Sequence, residues 1–292
     1  FGHGSGNYIS RELGKKNYDE ASNMAATGFY SSLLAGLLIC LAGQIFLDDL
    51  AHILGSTDTI LPYTRQYLRV ILLGAPWMAG SLVLNNQLRY QGSANYAMIG
   101  IVTGAVLNIG LDPLLIFYFD LGIAGAGWAT IISQLVSFCI LLIGCRKGSN
   151  LQIHIRRFKF KWFYFNMIIQ GGLPSLARQS LASLAAICLN RAAGGYSDAA
   201  VAAMSIVQRV MMFGASTMIG FGQGFQPVCG FNFGAGLYQR VKEGFWFCVK
   251  LSLVLLTGIS VLMFVFALNV ILIGWIASRI VRRIIDAKKE QK

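Results

Sequence analysis

Seven runs of about twenty apolar residues, roughly 25–46, 67–88, 96–118, 124–143, 164–189, 199–225 and 247–275, dominate this 292-residue chain. A helix of that length matches the hydrocarbon thickness of a bilayer. No water is available there to satisfy backbone groups, so the runs are expected to be α-helical. Transmembrane β-strands would be about ten residues of alternating polarity, a pattern these runs do not have. Composition agrees: 55% of residues are hydrophobic and 12% charged, against about a quarter charged in soluble domains. Residues 1–9 read as the tail of a further apolar helix. The expectation is an all-α polytopic membrane protein, multi-pass in the cell (inner) membrane, with seven complete transmembrane helices plus the end of an eighth.

The net charge of +12 would point to nucleic acid on a soluble protein. Here the basic residues lie mainly between apolar runs and no nucleic-acid motif accompanies them, so no nucleic-acid partner is expected. Twelve basic residues fall in the segments 10–21, 89–95, 146–161 and 226–246, and three, Arg65, Arg69 and Arg191, on the other side. Short basic loops stay cytoplasmic. Cysteine labelling from outside should therefore reach Asp58→Cys and miss Lys159→Cys; the reverse pattern would overturn the orientation. The longest basic segment, 146–161, reads either as a linker between two halves or as an anionic-lipid surface with Trp162 as interfacial anchor; the linker reading is preferred. The tail 279–292 carries six basic residues on the outer side by span counting, so an abnormal C-terminal end is expected. The six cysteines are scattered without CxxC pairs, which points to neither a disulfide framework nor a metal site.

Phe1, Gly2, Gly4, Gly14 and Tyr18 recur without a gap as Phe221, Gly222, Gly224, Gly234 and Tyr238. In both copies a glycine-rich helix end enters a cytoplasmic loop. A parallel repeat of this kind belongs to transporters built from two similar bundles. Its offset implies two halves of about six helices, so the chain is expected to lack the first helix, most of the second and the last three.

No phosphate loop, HExxH or GxSxG motif is present, so an enzyme is not expected, and an export function would draw on an ion gradient. Asp112 is the acidic residue inside a complete apolar run, where a charge is costly and functional by default. Asn108 lies one helical turn earlier on the same face, and Pro113 leaves the carbonyl of Ile109 without its helical donor. Together with Thr130 of the next run, these groups make an oxygen-rich pocket suited to Na⁺ or a proton. The alternative makes Asp112 a cap on a kinked helix and Asn108 a helix–helix hydrogen bond. Arg178 and Arg209, inside two later runs, either line a wet substrate cavity or serve structure. Gly100/Gly104, Gly122/Ala126 and Gly220/Gly224 have helix-packing spacing. Pro76, Pro113 and Pro174 are candidate bending points.

The segments GSGNYISRELGKKNYDEA (4–21), LNNQLRYQGSANYAM (84–98), LNIGLDPLLIFYFDLGIAGAGWAT (107–130), GLPSLARQSLASLAAICLN (172–190) and FGQGFQPVCGFNFGAG (221–236) resemble multidrug and toxic compound extrusion (MATE) transporters. The resemblance implies twelve helices in two lobes: 1–145 as an N-lobe remnant (end of helix 2 to helix 6), 146–161 as a basic cytoplasmic linker, and 162–292 as a partial C-lobe (helices 7 to 9 and the abnormal tail). It also implies a secondary antiporter that exports amphipathic or cationic drugs in exchange for Na⁺ or H⁺, acts as a monomer, and uses no cofactor beyond the coupling ion. The family's N-lobe cation site falls on Asn108, Asp112 and Thr130; its first-helix Asp has no counterpart here. An acidic residue used by some relatives in the seventh helix is missing from 164–189. The rival readings are a lipid or oligosaccharide flippase of the same superfamily, which would want a more basic lobe, and a non-functional truncated remnant.

Overall fold

The computed structural model describes residues 1–53, 61–147, 151, 153–194, 198–262 and 264. Its helices are α1 Gly2–Gly14, α2 Tyr18–Ile45, α3 Leu47–Ile53, α4 Leu61–Leu73, α5 Ala75–Tyr90, α6 Ala94–Pro113, α7 Gly122–Lys147, α8 Trp162–Gly194 and α9 Asp198–Gly234, followed by α10, Tyr238–Leu262. There is no strand among the described residues. Among the described residues four helices are long and apolar enough to cross a membrane: α2, α6 with its π-helical extension Leu114–Tyr118, α7 and α10. The pair α4 and α5 adds a fifth span, bent by 51°. The apolar runs 164–189 and 199–225 lie on α8 and α9, which have 33 and 37 residues. Asp58 and the tail 279–292 lie outside the described residues.

The run 67–88 is therefore a broken span rather than one straight helix. Gly74 separates its two halves and Pro76 sits in the first turn of α5. Proline supplies no backbone donor and disfavours helical geometry in the residue before it, so the hydrogen-bond ladder is interrupted here. The bend is packed: a Cβ on Gly36 of α2 would lie 2.7 Å from the Ala75 carbonyl oxygen. Pro113 acts differently. Beyond it the helix widens into the π turn, with the Phe119 N–H donating to the Leu114 carbonyl at 3.1 Å. Pro174 sits inside a continuous helix.

Three of the basic loops are shorter than the apolar runs imply. Residues 15–17, 91–93 and 235–237 are three-residue turns of one geometry. Asn17, Ser93 and Leu237 donate their N–H to the carbonyls of Glu12, Leu88 and Asn232, each at 2.9 Å. This six-to-one hydrogen bond closes a Schellman motif, whose left-handed residue is Lys16 (φ 63°), Gly92 (φ 88°) or Gly236 (φ 74°). A helix ends where the backbone turns left-handed, not where the apolar run ends. The basic residues Arg11, Arg89, Arg240 and Lys242 consequently lie on helix ends rather than in loops. The first and third turns stand 220 residues apart, so the sequence repeat is also a repeat of hydrogen bonding.

The chain forms two compact units, Phe1–Arg191 with Gly224–Val241, and Ala192–Gln223 with Lys242–Lys292. In the second, Met218 and Phe221 pack near Leu255, Leu256 and Ile259. The first holds two buried apolar clusters. One contains Ile9, Leu13, Met24, Leu151, Tyr164 and Ile168. The other contains Phe29, Val83, Leu84, Leu88 and Leu141. Buried amides tie the helices around them. The side-chain N–H of Gln87 donates to the Ala25 carbonyl at 3.0 Å and to Ser5 Oγ at 3.3 Å, and that of Asn85 to the Ala97 carbonyl at 3.0 Å. In an apolar surround an unmade bond of this kind costs about 1–3 kcal/mol, which selects one helix register.

Within this unit the two copies of the repeat meet. A Cβ on Gly14 would fall on the Phe231 carbonyl oxygen, and one on Gly234 would fall on the Arg11 carbonyl oxygen. Gly14 and Gly234 are repeat equivalents, as are Arg11 and Phe231, so the contact is reciprocal. Ser10 and Gly230, also equivalents, face each other on the local two-fold axis: a Cβ on Gly230 would sit 3.0 Å from Ser10 Cβ. The C-terminal ends of α1 and α9 thus cross with their backbones in contact, which only residues without side chains permit.

Candidate functional site

Helices α6 and α7 form an antiparallel hairpin whose register can be read from its glycines. A Cβ on Gly100 would lie 2.6 Å from Leu141 side-chain carbons, one on Gly104 would lie 2.9 Å from Ser137 Cβ and 3.2 Å from the Ser133 carbonyl, and one on Gly125 would lie 2.7 Å from the Leu115 carbonyl. Asn108 and Asp112 continue the four-residue stripe begun by Gly100 and Gly104, on the side that meets α7. The register sets Thr130 at the level of the turn carrying Asn108 and Asp112. The glycine pair and the polar pair, separate motifs in the sequence, therefore belong to one helix face.

On that face the Asn108 side-chain N–H donates to Asp112 Oδ1 at 3.3 Å, leaving the second carboxylate oxygen and the amide oxygen as acceptors. Thr130 Oγ1 donates to the Ala126 carbonyl of its own helix at 2.9 Å. With its proton engaged, its lone pairs stay available to a cation. All three residues are half-buried. Ser133, one turn along from Thr130, is buried and its hydroxyl has no hydrogen-bond partner. These donors are all oxygens, the chemistry for a hard cation or a proton and not for a soft metal. No three His, Cys, Asp or Glu side chains converge as a metal site among the described residues.

Arg178 lies on α8, exposed. Arg209 is carried by α9; its side chain lies outside the described residues. A cavity of about 480 Å³ opens between α1, α8 and α9, where Tyr8, Phe225 and Phe233 alternate with Asn7, Gln170, Gln226 and Arg11. The Arg11 guanidinium stands over the Phe233 ring, 5.1 Å from its centroid. A second cavity, of about 670 Å³ near the ends of α1, α5 and α9, includes Lys16, Arg89, Tyr90 and Phe231. Among the described residues, neither is lined by a carboxylate.

Residues 1–114 and 174–275 match the family model described as MatE. The chain belongs to the MatE family. It is 32% identical over 234 residues to the multidrug export protein MepA of Staphylococcus aureus (strain MRSA252), which covers 80% of this chain and 52% of that protein. Two solved structures, MATE in complex with MaL6 and the outward-facing conformation of a multidrug resistance MATE family transporter of the MOP superfamily, match at TM-scores of 0.86 and 0.85. Each is 27% identical and covers 91% of this chain and 60% of the other. The chain thus spans about half the length of the curated relative it matches.

MatE proteins are transport proteins, and this chain is a multi-pass membrane member. Its fold adds polar residues that sequence reasoning passed over. Tyr90 Oη donates to Gln226 Oε1 at 2.6 Å, linking α5 to α9, and Ser133 lies one helical turn from Thr130, against Gly104 of α6. The cue for Tyr90 was the polar LNNQLRY segment entering an otherwise apolar helix. Ser133 carried no cue, because a lone serine in an apolar run is usually back-bonded to its own helix.

Proposed function

We propose that the protein is a secondary antiporter of the cell (inner) membrane that exports amphipathic or cationic drugs in exchange for Na⁺ or H⁺, without enzymatic chemistry. The observation that carries this reading is the hydrogen-bonded Asn108–Asp112 pair, set on the α6 face that packs against α7 in a MatE chain. A carboxylate oxygen can take either a proton or a hard cation, one at the expense of the other. Asn108, Asp112 and Thr130 would bind the coupling ion, with Ser133 as a further oxygen. Pro113 and the π turn below the site supply the place where a change in charge alters helix geometry. The coupling ion is the cofactor in effect, and no other is invoked.

The crossing of α1 and α9 supports alternating access. It lies at the side that the basic residues assign to the cytoplasm, so it closes that side, and substrate entry requires it to part. The cavities beside it mix aromatic rings and amides with glycines, aliphatic side chains and a few cations, a surface that accepts varied apolar bodies. With no carboxylate in their lining, preference for a cation would rest on Asp112. Arg178 and Arg209 are retained as candidate cavity residues. The partners are the bilayer and small amphipathic solutes, with the protein working as a monomer.

Expression of the full-length protein in a drug-sensitive strain tests this. Tolerance should rise toward several chemically unrelated amphipathic compounds, and should fall when the ion gradients are collapsed. Strict selectivity for a single polar solute, or resistance unaffected by the gradients, would overturn the reading.

A further inference from the structure

The basic segment that joins the two halves is fixed to the protein along one side only. Leu151 is fully buried in the cluster with Ile9 and Met24. Phe158 packs edge-on against Tyr30, with ring centroids 6.4 Å apart. The backbone N–H of Lys159 donates to Thr27 Oγ1 at 3.2 Å, and Arg157 pairs with Asp19 at 2.9 Å. Just beyond, Tyr164 Oη donates to Glu20 Oε2 at 2.7 Å. The segment is thus strapped over the N-terminal part of α2, and on its outer side the Phe160 ring packs edge-on against Phe165, with centroids 5.4 Å apart.

That outer side alternates charge with aromatic surface. Phe160 is 85% exposed and Trp162 77%. Arg156, Lys159 and Lys161 are exposed and form no ion pair among the described residues. No acidic residue occurs anywhere in 146–161. These residues stand where the chain enters α8 from the side the basic residues assign to the cytoplasm. An aromatic ring at that depth rests at the headgroup boundary, and a lysine beside it reaches outward. Because the strap already holds the cations in position, little conformational freedom is lost when a counter-charge arrives.

We propose that this face, Arg156 with Lys159 to Trp162, is a docking surface for the headgroups of anionic phospholipids in the cytoplasmic leaflet. The rings of Phe160 and Trp162 enter the acyl boundary while the three cations contact the phosphates. The lipid then becomes part of the joint between the two halves. This inference stands on the strap and its exposed face and does not depend on which solute or ion the protein carries.

The test uses the full-length protein reconstituted with Trp162 as its sole tryptophan, in vesicles containing phosphatidylcholine and phosphatidylglycerol. One or the other lipid carries bromine on its acyl chains to quench the fluorescence. At equal mole fraction, brominated phosphatidylglycerol should quench Trp162 more strongly than brominated phosphatidylcholine, and added salt should shrink the difference. Each cation near an anionic surface contributes roughly a fivefold preference, so the triple variant Arg156→Gln/Lys159→Gln/Lys161→Gln should lose the lipid preference by at least roughly tenfold. Equal quenching by the two lipids in the parent protein would overturn the proposal without recourse to the variant. So would an undiminished preference in a triple variant that elutes as a single species.

Discussion

Asp112→Asn in the full-length protein should abolish ion-driven drug export while leaving membrane insertion intact. The substitution keeps the size of the side chain and its hydrogen bond with Asn108, now 3.3 Å long, but removes the charge. A hydrogen bond or ion contact to a charged group is worth about 1.5–3 kcal/mol, so cation binding should weaken by roughly tenfold to a hundredfold. Asn108→Ala and Thr130→Ala should have smaller effects in the same direction, since each removes one neutral oxygen. The measurement is drug efflux from loaded vesicles under imposed Na⁺ or proton gradients, with binding of the drug to the resting protein as control. If Asp112 merely capped a kinked helix, the amide would serve as well. Efflux and ion dependence like those of the parent protein would then remove Asp112 from coupling.

Cross-linking the α1–α9 crossing should stop transport outright. In a background lacking the native cysteines, Ser10→Cys/Gly230→Cys brings two sulfurs together on the local two-fold axis. A Cβ added at Gly230 would lie 3.0 Å from that of Ser10, a little inside the roughly 3.5–4.5 Å of a disulfide, and small movements accommodate the bond. Oxidation should eliminate export and a reductant should restore it. A fully cross-linked protein that still exports would show that the crossing does not open. The reciprocity of the contact gives a second, independent expectation: Gly14→Val and Gly234→Val should destabilise the closed state about equally, by about 1–3 kcal/mol each, seen as matched losses in thermal stability of the purified protein. A large effect at one and none at the other would mean that the two copies do not pack as equivalents.

How much of this was legible in advance differs by element. The apolar runs, the charge bias of their flanks and the repeat of Phe1–Tyr18 as Phe221–Tyr238 led directly to a helical membrane protein of two related halves. The physical reason is that a bilayer imposes length and hydrophobicity on each span independently of the others. Asp112 stood out on the same ground, as a carboxylate in a stretch that has no water for it. The N-x-x-x-D-P spacing placed Asn108 beside it because helix geometry is local.

Helix ends and bends were less accessible. The turns at 15–17, 91–93 and 235–237 are set by backbone conformation, and Lys16 adopts a left-handed geometry that its residue type does not announce. The break between α4 and α5 needed Gly74 and Pro76 together, where Pro174 alone leaves α8 unbroken. Contacts between distant residues were outside the reach of pattern altogether. The sequence by itself determined the apolar helices, the repeat and the Asn108–Asp112 pair, all of which follow from short-range geometry or from transfer between water and lipid. Only the tertiary structure decided that the face carrying Gly100 and Gly104 packs against Ser133, Ser137 and Leu141 of α7, that Ser133 stands unpartnered near the pair, that Tyr90 reaches Gln226, and that the two copies of the repeat meet at Ser10 and Gly230. Each of these depends on which helices lie side by side, and that choice comes from close packing of whole surfaces, which no single stretch of chain encodes.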